Sequence, residues 1–244
     1  MFKKMIKTLV MVGLVALTLG SLPALAEEES PVSASADVGI FSQYVWRGFA
    51  LSEDSIVVQP SASVSYGGFG LNLWGNLDTD EYMTEDSSFN EIDMTLSYDW
   101  SIDIVSLGVG YIYYGLEGED SQEYYVSVGL DTILAPSLTI YKDVDTFPGW
   151  YVNLGISHSI SFTDDMALDL SAAIGYADYE GYSEFHDGTL SASMTFVVDD
   201  YISVTPMVAY TFGLTGKAKD YIMDGSWDSE KDHLYGGVTI SIGF

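Results

Sequence analysis

The chain contains no cysteine. That removes any disulfide framework, thiolate metal site or dithiol redox couple. Basic residues are nearly as scarce: eight Lys and Arg stand against 36 Asp and Glu, for a net charge of −28, and Arg47 is the single arginine. A field of that sign repels nucleic acid and gathers cations. There are three histidines, His158, His186 and His233, which leaves little material for general-base chemistry. Past residue 26 no stretch supplies the roughly 20 uncharged apolar residues a spanning helix needs, so any membrane crossing would have to use strands. Phosphate loops, dinucleotide fingerprints and zinc spacings are missing too, and nothing in the sequence calls for a cofactor.

What is present begins with an export label. Lys3, Lys4 and Lys7 precede an apolar run from Leu9 to Leu19, and Ala24-Leu25-Ala26 supplies a small-x-small cleavage pattern, so residues 1–26 read as a cleavable signal peptide and 27–244 as the folded part. The label carries three of the eight basic residues and none of the acids. At 48% hydrophobic residues, the remainder has ample apolar surface to bury or to show to lipid.

The dominant pattern is alternation with a period of two. In the closing stretch Leu234, Val238, Ile240, Ile242 and Phe244 share one face, and Tyr235, Gly237, Thr239, Ser241 and Gly243 share the other. Similar segments predict twelve strands, near 35–46, 56–66, 69–78, 90–100, 104–115, 123–132, 137–144, 150–162, 166–177, 189–198, 201–212 and 233–244. Each is close to the roughly 9–11 residues a tilted strand needs to cross a bilayer. The connections alternate as well, tight at Gly67-Gly68, 101–103, 163–165 and 199–200, longer and acidic at 47–55, 79–89, 178–188 and 213–232. Aromatics crowd both strand ends, as two headgroup interfaces require. The expectation is an all-β protein, an antiparallel transmembrane β-barrel of about twelve strands in the outer membrane of a Gram-negative-type bacterium, with short periplasmic turns and longer acidic external loops. Its partners would be outer-membrane lipids and small hydrophilic solutes or cations; nothing marks an oligomeric state.

Parity then sorts the polar residues. The inward set carries Glu91, Asp93 and Asp169 deepest, with further carboxylates such as Glu123 and Asp143, and Arg47 closes the first strand near them. Carboxylates in a watery constriction favour cations over anions, so a cation preference follows if these acids line a pore. Trp74, Tyr114, Tyr125, Tyr151, Tyr141, Tyr201 and Tyr235 also point inward; they would stack on ring-shaped solutes or simply fill a narrow barrel. Arg47 would set a transverse field or pair with a neighbouring carboxylate. Four residues fit the plan badly: Pro60 and Pro206 inside strands, Phe41 facing inward and Lys142 facing out, and register breaks are expected at one or two of them. The external acids, including Asp224, Asp228 and Glu230, are solvated surface or weak divalent-cation ligands. An enzyme is not expected, because parity gives lipid-facing His158 no serine neighbour, although His186 and His233 have acids close by in sequence. The competing reading is a closed barrel whose acidic loops bind ions, envelope lipids or a partner without transport.

Asp37-Val-Gly-Ile-Phe-Ser-Gln-Tyr-Val-Trp-Arg-Gly-Phe49, taken with Gln59-Pro60, Gly70-Leu-Asn-Leu-Trp-Gly-Asn76, Asn90-Glu-Ile-Asp93, Tyr141-Lys-Asp-Val-Asp145 and Gly155-Ile-Ser-His-Ser159, resembles the TorF-type porins, small exported proteins of about this length. The resemblance implies an outer-membrane barrel acting as a passive pore and brings no site residues with it.

Overall fold

A computed structural model describes residues 32–53, 55–80 and 88–244. The signal peptide and most of the acidic connection at 79–89 lie outside the described residues. The elements in chain order are β1 (Val32–Phe41), β2 (Val45–Trp46), β3 (Phe49–Ala50), β4 (Val57–Tyr66), β5 (Phe69–Asp78), β6 (Ser88–Ile102), β7 (Val105–Leu116), β8 (Ser121–Leu130), β9 (Ser137–Asp143), β10 (Gly149–Thr163), β11 (Met166–Tyr179), β12 (Tyr182–Val197), β13 (Ile202–Gly213), α1 (Gly216–Gly225) and β14 (Asp232–Gly243). Twelve of the strands close into one antiparallel barrel, and β2 and β3 form a separate hairpin. Each wall strand pairs with its sequence neighbours, and β1 closes the ring by pairing with β14 on one side and β4 on the other.

Alternation decides which side chains face where. Ile40, Leu73, Ile92, Leu96, Val126, Leu154, Leu190 and Ile240 stand exposed on the outside, while Thr189, Thr195, Thr205, Thr211 and Thr239 are buried on the inside. An apolar belt of this kind costs about 25 cal/mol for every Å² left in water. No helix among the described residues is long and apolar enough to cross a membrane. At the carboxy-terminal seam the wall continues to the last residue: Phe244 N donates to Ala34 O at 2.8 Å and Ala34 N to Phe244 O at 3.2 Å.

The two ends of the barrel differ. The turn end carries short connections such as Gly67-Gly68, whose φ of 55° and 89° suit a two-residue primed turn that glycine enters without strain. The loop end carries the connections at 42–56, 117–120, 144–148, 180–181 and 214–231, together with the one at 79–87. One expected loop is not there. Residues 178–188 continue the wall, because β11 runs to Tyr179 and β12 begins at Tyr182 with only Glu180-Gly181 between them. The acids in that segment had masked its alternation.

The misfit residues do not break register. Pro60 keeps its pairing with Val38 and Pro206 with Val238, and the ladder lapses only on the proline's other side. The shifts fall instead at Asn76/Leu77, Ser161/Thr163 and Ile174/Tyr176. Lys142 reaches over the outward Trp150 ring at 4.9 Å, which keeps its charge beside a π face at the loop end. Tyr201 precedes β13 and is 62% exposed beside Phe244 at the turn end, so it does not enter the lumen.

Candidate functional site at the mouth of the barrel

β1 stops at Phe41, five residues earlier than alternation predicts, and the chain turns into the barrel. Phe41 faces inward because it forms the floor of this departure, packed with Tyr44 and Val57. The hairpin β2–β3 follows, with Arg47 and Gly48 at its tip (φ 46° and 89°). Positive φ at both central residues is what a two-residue type I′ hairpin turn requires. For a non-glycine residue such as Arg47 that conformation costs on the order of 1–3 kcal/mol, so something must hold it.

The holding contact is a buried ion pair with β8. Arg47 Nη1 donates to Glu123 Oε1 and Nη2 to Oε2, both at 2.7 Å, and the two residues are only 8% and 3% exposed. Tyr114 OH donates to Glu123 Oε2 at 2.8 Å. Three rings surround the guanidinium carbon: Trp46 at 4.4 Å, Tyr141 at 4.5 Å and Tyr151 at 4.4 Å. The Arg47 carbonyl accepts from His186 Nε2 at 3.0 Å, which leaves Nδ1 of the neutral ring to accept from Tyr182 OH at 2.7 Å.

The rest of the hairpin reaches the wall on all sides. Tyr44 packs against Trp74 of β5 at 5.5 Å, Trp46 meets Tyr114 of β7 edge-on at 6.1 Å, and Val45 packs against Ala209 of β13 and Tyr235 of β14. Burial drives the Tyr44 hydroxyl well above its ordinary pKa, with Glu91 and Asp93 adding to the rise, so it stays protonated and bonds to Glu91. The hairpin therefore crosses the lumen just inside the loop end.

The helix α1 lies over it. Thr215 caps the first turn by accepting from Ala218 N at 3.1 Å, and the buried Ala218 and Ile222, one turn apart, face inward. Ile222 comes so close to Gly48 that a β-carbon there would sit 3.0 Å from Ile222 Cδ1 and 3.1 Å from Asp187 Cβ. Tyr221 stacks on Tyr182 at 4.0 Å and meets Phe49 at 5.9 Å. The helix was not foreseen from sequence, where the 213–232 stretch reads as an acidic loop.

A polar chain clasps hairpin to cover. Ser226 Oγ accepts from Ala50 N at 3.1 Å and lies 3.5 Å from His233 Nε2, whose Nδ1 is 3.2 Å from Asp228 Oδ2, and Gln43 Nε2 donates to the same oxygen at 2.7 Å. The order Ser-His-Asp invites comparison with a hydrolase. Here Ser226 and His233 are buried, and both ends of the chain return to the hairpin segment, which is the work of a clasp. Asp228 is thereby engaged with His233 and Gln43, and among the described residues no group of three His, Asp or Glu is placed to hold a metal ion.

The chain matches the family model described as a bacterial protein of unknown function, Gcw_chp, over residues 25–211. It belongs to the Gcw_chp family. None of the curated proteins matches this Gcw_chp chain in sequence. In structure it is similar to the KdgM porin, with TM-score 0.59 and 14% identity over 86% of this chain and 99% of that one. It is also similar to the NanC porin, with TM-score 0.58 and 9% identity over 85% and 98%. An outer membrane channel from Pseudomonas putida F1 matches with TM-score 0.51 and 8% identity over 89% and 97%. At these identities the likeness establishes the fold.

The Gcw_chp barrel distributes the residues singled out from sequence along its interior. Arg47, Tyr114 and Tyr151 meet at the hairpin tip, with Tyr151 OH donating to Asp187 Oδ1 at 2.9 Å. Glu91 and Asp93 lie beside this site on β6, where Asp93 pairs across the wall with Tyr114; they are bonded to each other through their carboxyl groups, and Asp93 Oδ1 has no hydrogen-bond partner. Trp74 lies against Tyr44, and Tyr125 packs on Tyr141 at 5.7 Å. Asp169, paired across the wall with Ser159 and Ser193, belongs to the turn half and joins none of the others. Arg47 was expected at the end of a wall strand; it stands on the inward hairpin instead. His186 and Asp187, expected in an external loop, are wholly enclosed because that loop is strand. His233 pairs with Asp228 and not with the sequence-adjacent Asp232. His158, on the outer face, engages Ile133 O through Nδ1 at 2.7 Å.

Proposed function

We propose that this protein is an outer-membrane porin, a diffusion channel for small hydrophilic solutes with a preference for cations, stoppered at its external end by the Arg47 hairpin. The observation that carries the reading is the charge balance of the interior. Asp99, Asp143, Asp169 and the Glu91–Asp93 pair, whose carboxyl-to-carboxyl bond needs a shared proton so that the pair counts as one negative charge, face a lumen in which the single arginine is already spent on Glu123. Such a passage stabilises entering cations and repels anions. One structural relative is the KdgM porin in complex with disordered oligogalacturonate. An anionic saccharide of that kind would meet uncompensated carboxylates here, which argues against it as the solute. The resemblance to the TorF-type porins supports the same reading, as does an export signal at residues 1–26. The barrel is taken as non-enzymatic.

The test is the reversal potential of the refolded protein in a planar bilayer under a salt gradient. A cation-selective potential that shifts toward anions in Asp93→Lys and Asp169→Lys supports the pore; an unchanged potential in both removes these acids from its selectivity. The closed-barrel alternative, in which the acidic external loops bind ions, envelope lipids or a partner, is favoured by one observation, the hairpin's engagement with the wall on all sides. It predicts a folded protein that passes no current even when the hairpin is loosened.

A further inference from the structure

The groups that hold the Arg47 guanidinium, or orient the carboxylate that does, belong mostly to the wall and not to the hairpin. Glu123 is on β8, Tyr141 on β9, Tyr151 on β10 and Tyr114 on β7, while Trp46 is the one ring that travels with Arg47. The wall groups are also positioned by partners of their own. Tyr114 OH bonds Glu123, Tyr151 OH bonds Asp187, and Tyr141 sits between Tyr125 and Tyr151 at ring distances of 5.7 and 6.1 Å. Withdrawing the hairpin therefore leaves a carboxylate flanked by two aromatic faces, already oriented. That is the chemistry of a receptor for an organic cation.

The geometry specifies the cation further. Glu123 receives two parallel N–H bonds of 2.7 Å from one planar fork, an arrangement that a guanidinium satisfies and an ammonium, with its three divergent donors, does not. The flanking rings favour a flat, weakly hydrated cation for the same reason. We propose that this wall site binds small guanidinium-bearing solutes, and that Arg47 is its tethered occupant, so that an incoming guanidinium competes with the hairpin and unseats it. The binding half stands on the geometry alone; the unseating half rests on the pore reading, where it names the solute class that the gate answers to. A tethered group acts at an effective concentration in the millimolar range, and a site available only in the undocked fraction loses apparent affinity by that fraction. Removing the arginine side chain should therefore tighten binding of an added guanidinium by about 10- to 100-fold.

The probe is agmatine, titrated calorimetrically into the refolded barrel in detergent micelles. Arg47→Ala should bind it at least about tenfold more tightly than the native protein, and Arg47→Ala combined with Glu123→Gln should lose that gain. Tetramethylammonium and butylamine should bind Arg47→Ala more weakly than agmatine does. Equal, weak binding by the native protein, Arg47→Ala and the double variant would overturn the site, whatever the channel recordings show. Should Arg47→Ala not fold, the native protein answers the same question by amide hydrogen exchange. Millimolar agmatine should expose the amides of Leu51 and Trp227, which bond to Tyr44 O and Ala50 O, more than equal sodium chloride does. Unchanged protection overturns the competition. In the bilayer agmatine should raise the open fraction of the native protein; binding without any such rise would retain the site and count against the pore.

Discussion

Glu123→Gln should unseat the hairpin while leaving the barrel intact. In the native protein Arg47 is 8% exposed and its charge is answered by one carboxylate through two 2.7 Å bonds. Removing one partner of a buried pair typically costs about 3–5 kcal/mol, because the other charge is left without compensation. The glutamine oxygen can still accept one of the two bonds and the aromatic rings remain, so the expected loss falls just below that range, at about 2–3 kcal/mol. The strained φ of 46° at Arg47 adds nothing to the difference, but it is relieved when the tip leaves. A loss of that size moves the docked-to-undocked ratio by roughly 30- to 150-fold. The wall itself should not suffer, since β8 is held along both edges by β7 and β9. The assay is single-channel recording at fixed voltage beside the native protein, with far-UV circular dichroism to verify the barrel. A folded Glu123→Gln barrel whose open fraction equals that of the native protein would refute the claim that this ion pair is the lock.

Three other substitutions bear on the same assembly. Gly48→Ala places a β-carbon 3.0 Å from Ile222 Cδ1 at a φ of 89°, and should weaken hairpin seating by about 1–2 kcal/mol, seen as faster amide exchange at Leu51. Thr215→Ala removes the cap of α1 and should cost the helix about 1 kcal/mol, visible as increased protease cleavage between 214 and 231 with the wall strands still protected. Deleting Phe244 removes the reciprocal bonds with Ala34 at the seam, and should lower the unfolding temperature and refolding yield; equal yields would show that the seam does not depend on it.

The wall was legible in the sequence because a barrel strand has one apolar and one polar face, and the period of two survives every exchange that respects it. Even the misfits were informative: Phe41 pointed inward by parity because the chain leaves the wall just after it, to pack with Tyr44 and Val57. The hairpin itself was hidden. Its lock joins Arg47 to a carboxylate 76 residues away, and nothing local to Tyr44-Val-Trp-Arg-Gly48 distinguishes a strand that continues from one that turns inward. The helix α1 was hidden differently: its two inward residues, Ala218 and Ile222, are too few to raise a helical period above the surrounding acids. Residues 178–188 were misassigned for a related reason, since the charged Asp178, Glu180, Glu184 and Asp187 obscure a strand that merely projects beyond the rest. Of the candidate site, sequence supplied Arg47, Tyr114 and Tyr151, but the pairing that unites them is a tertiary fact.

The absence of cysteine permits the most direct test of a stoppered, cation-preferring pore. Val45 of the hairpin and Ala209 of the wall share one buried cluster with Tyr235, so Val45→Cys with Ala209→Cys is the pair to oxidise as a reversible lock on an otherwise thiol-free chain. Recorded across a salt gradient, the oxidised variant should pass no current, and reduction should restore steps with a cation-selective reversal potential. Equal currents in the oxidised and reduced forms, or an anion-selective potential after reduction, would contradict the account.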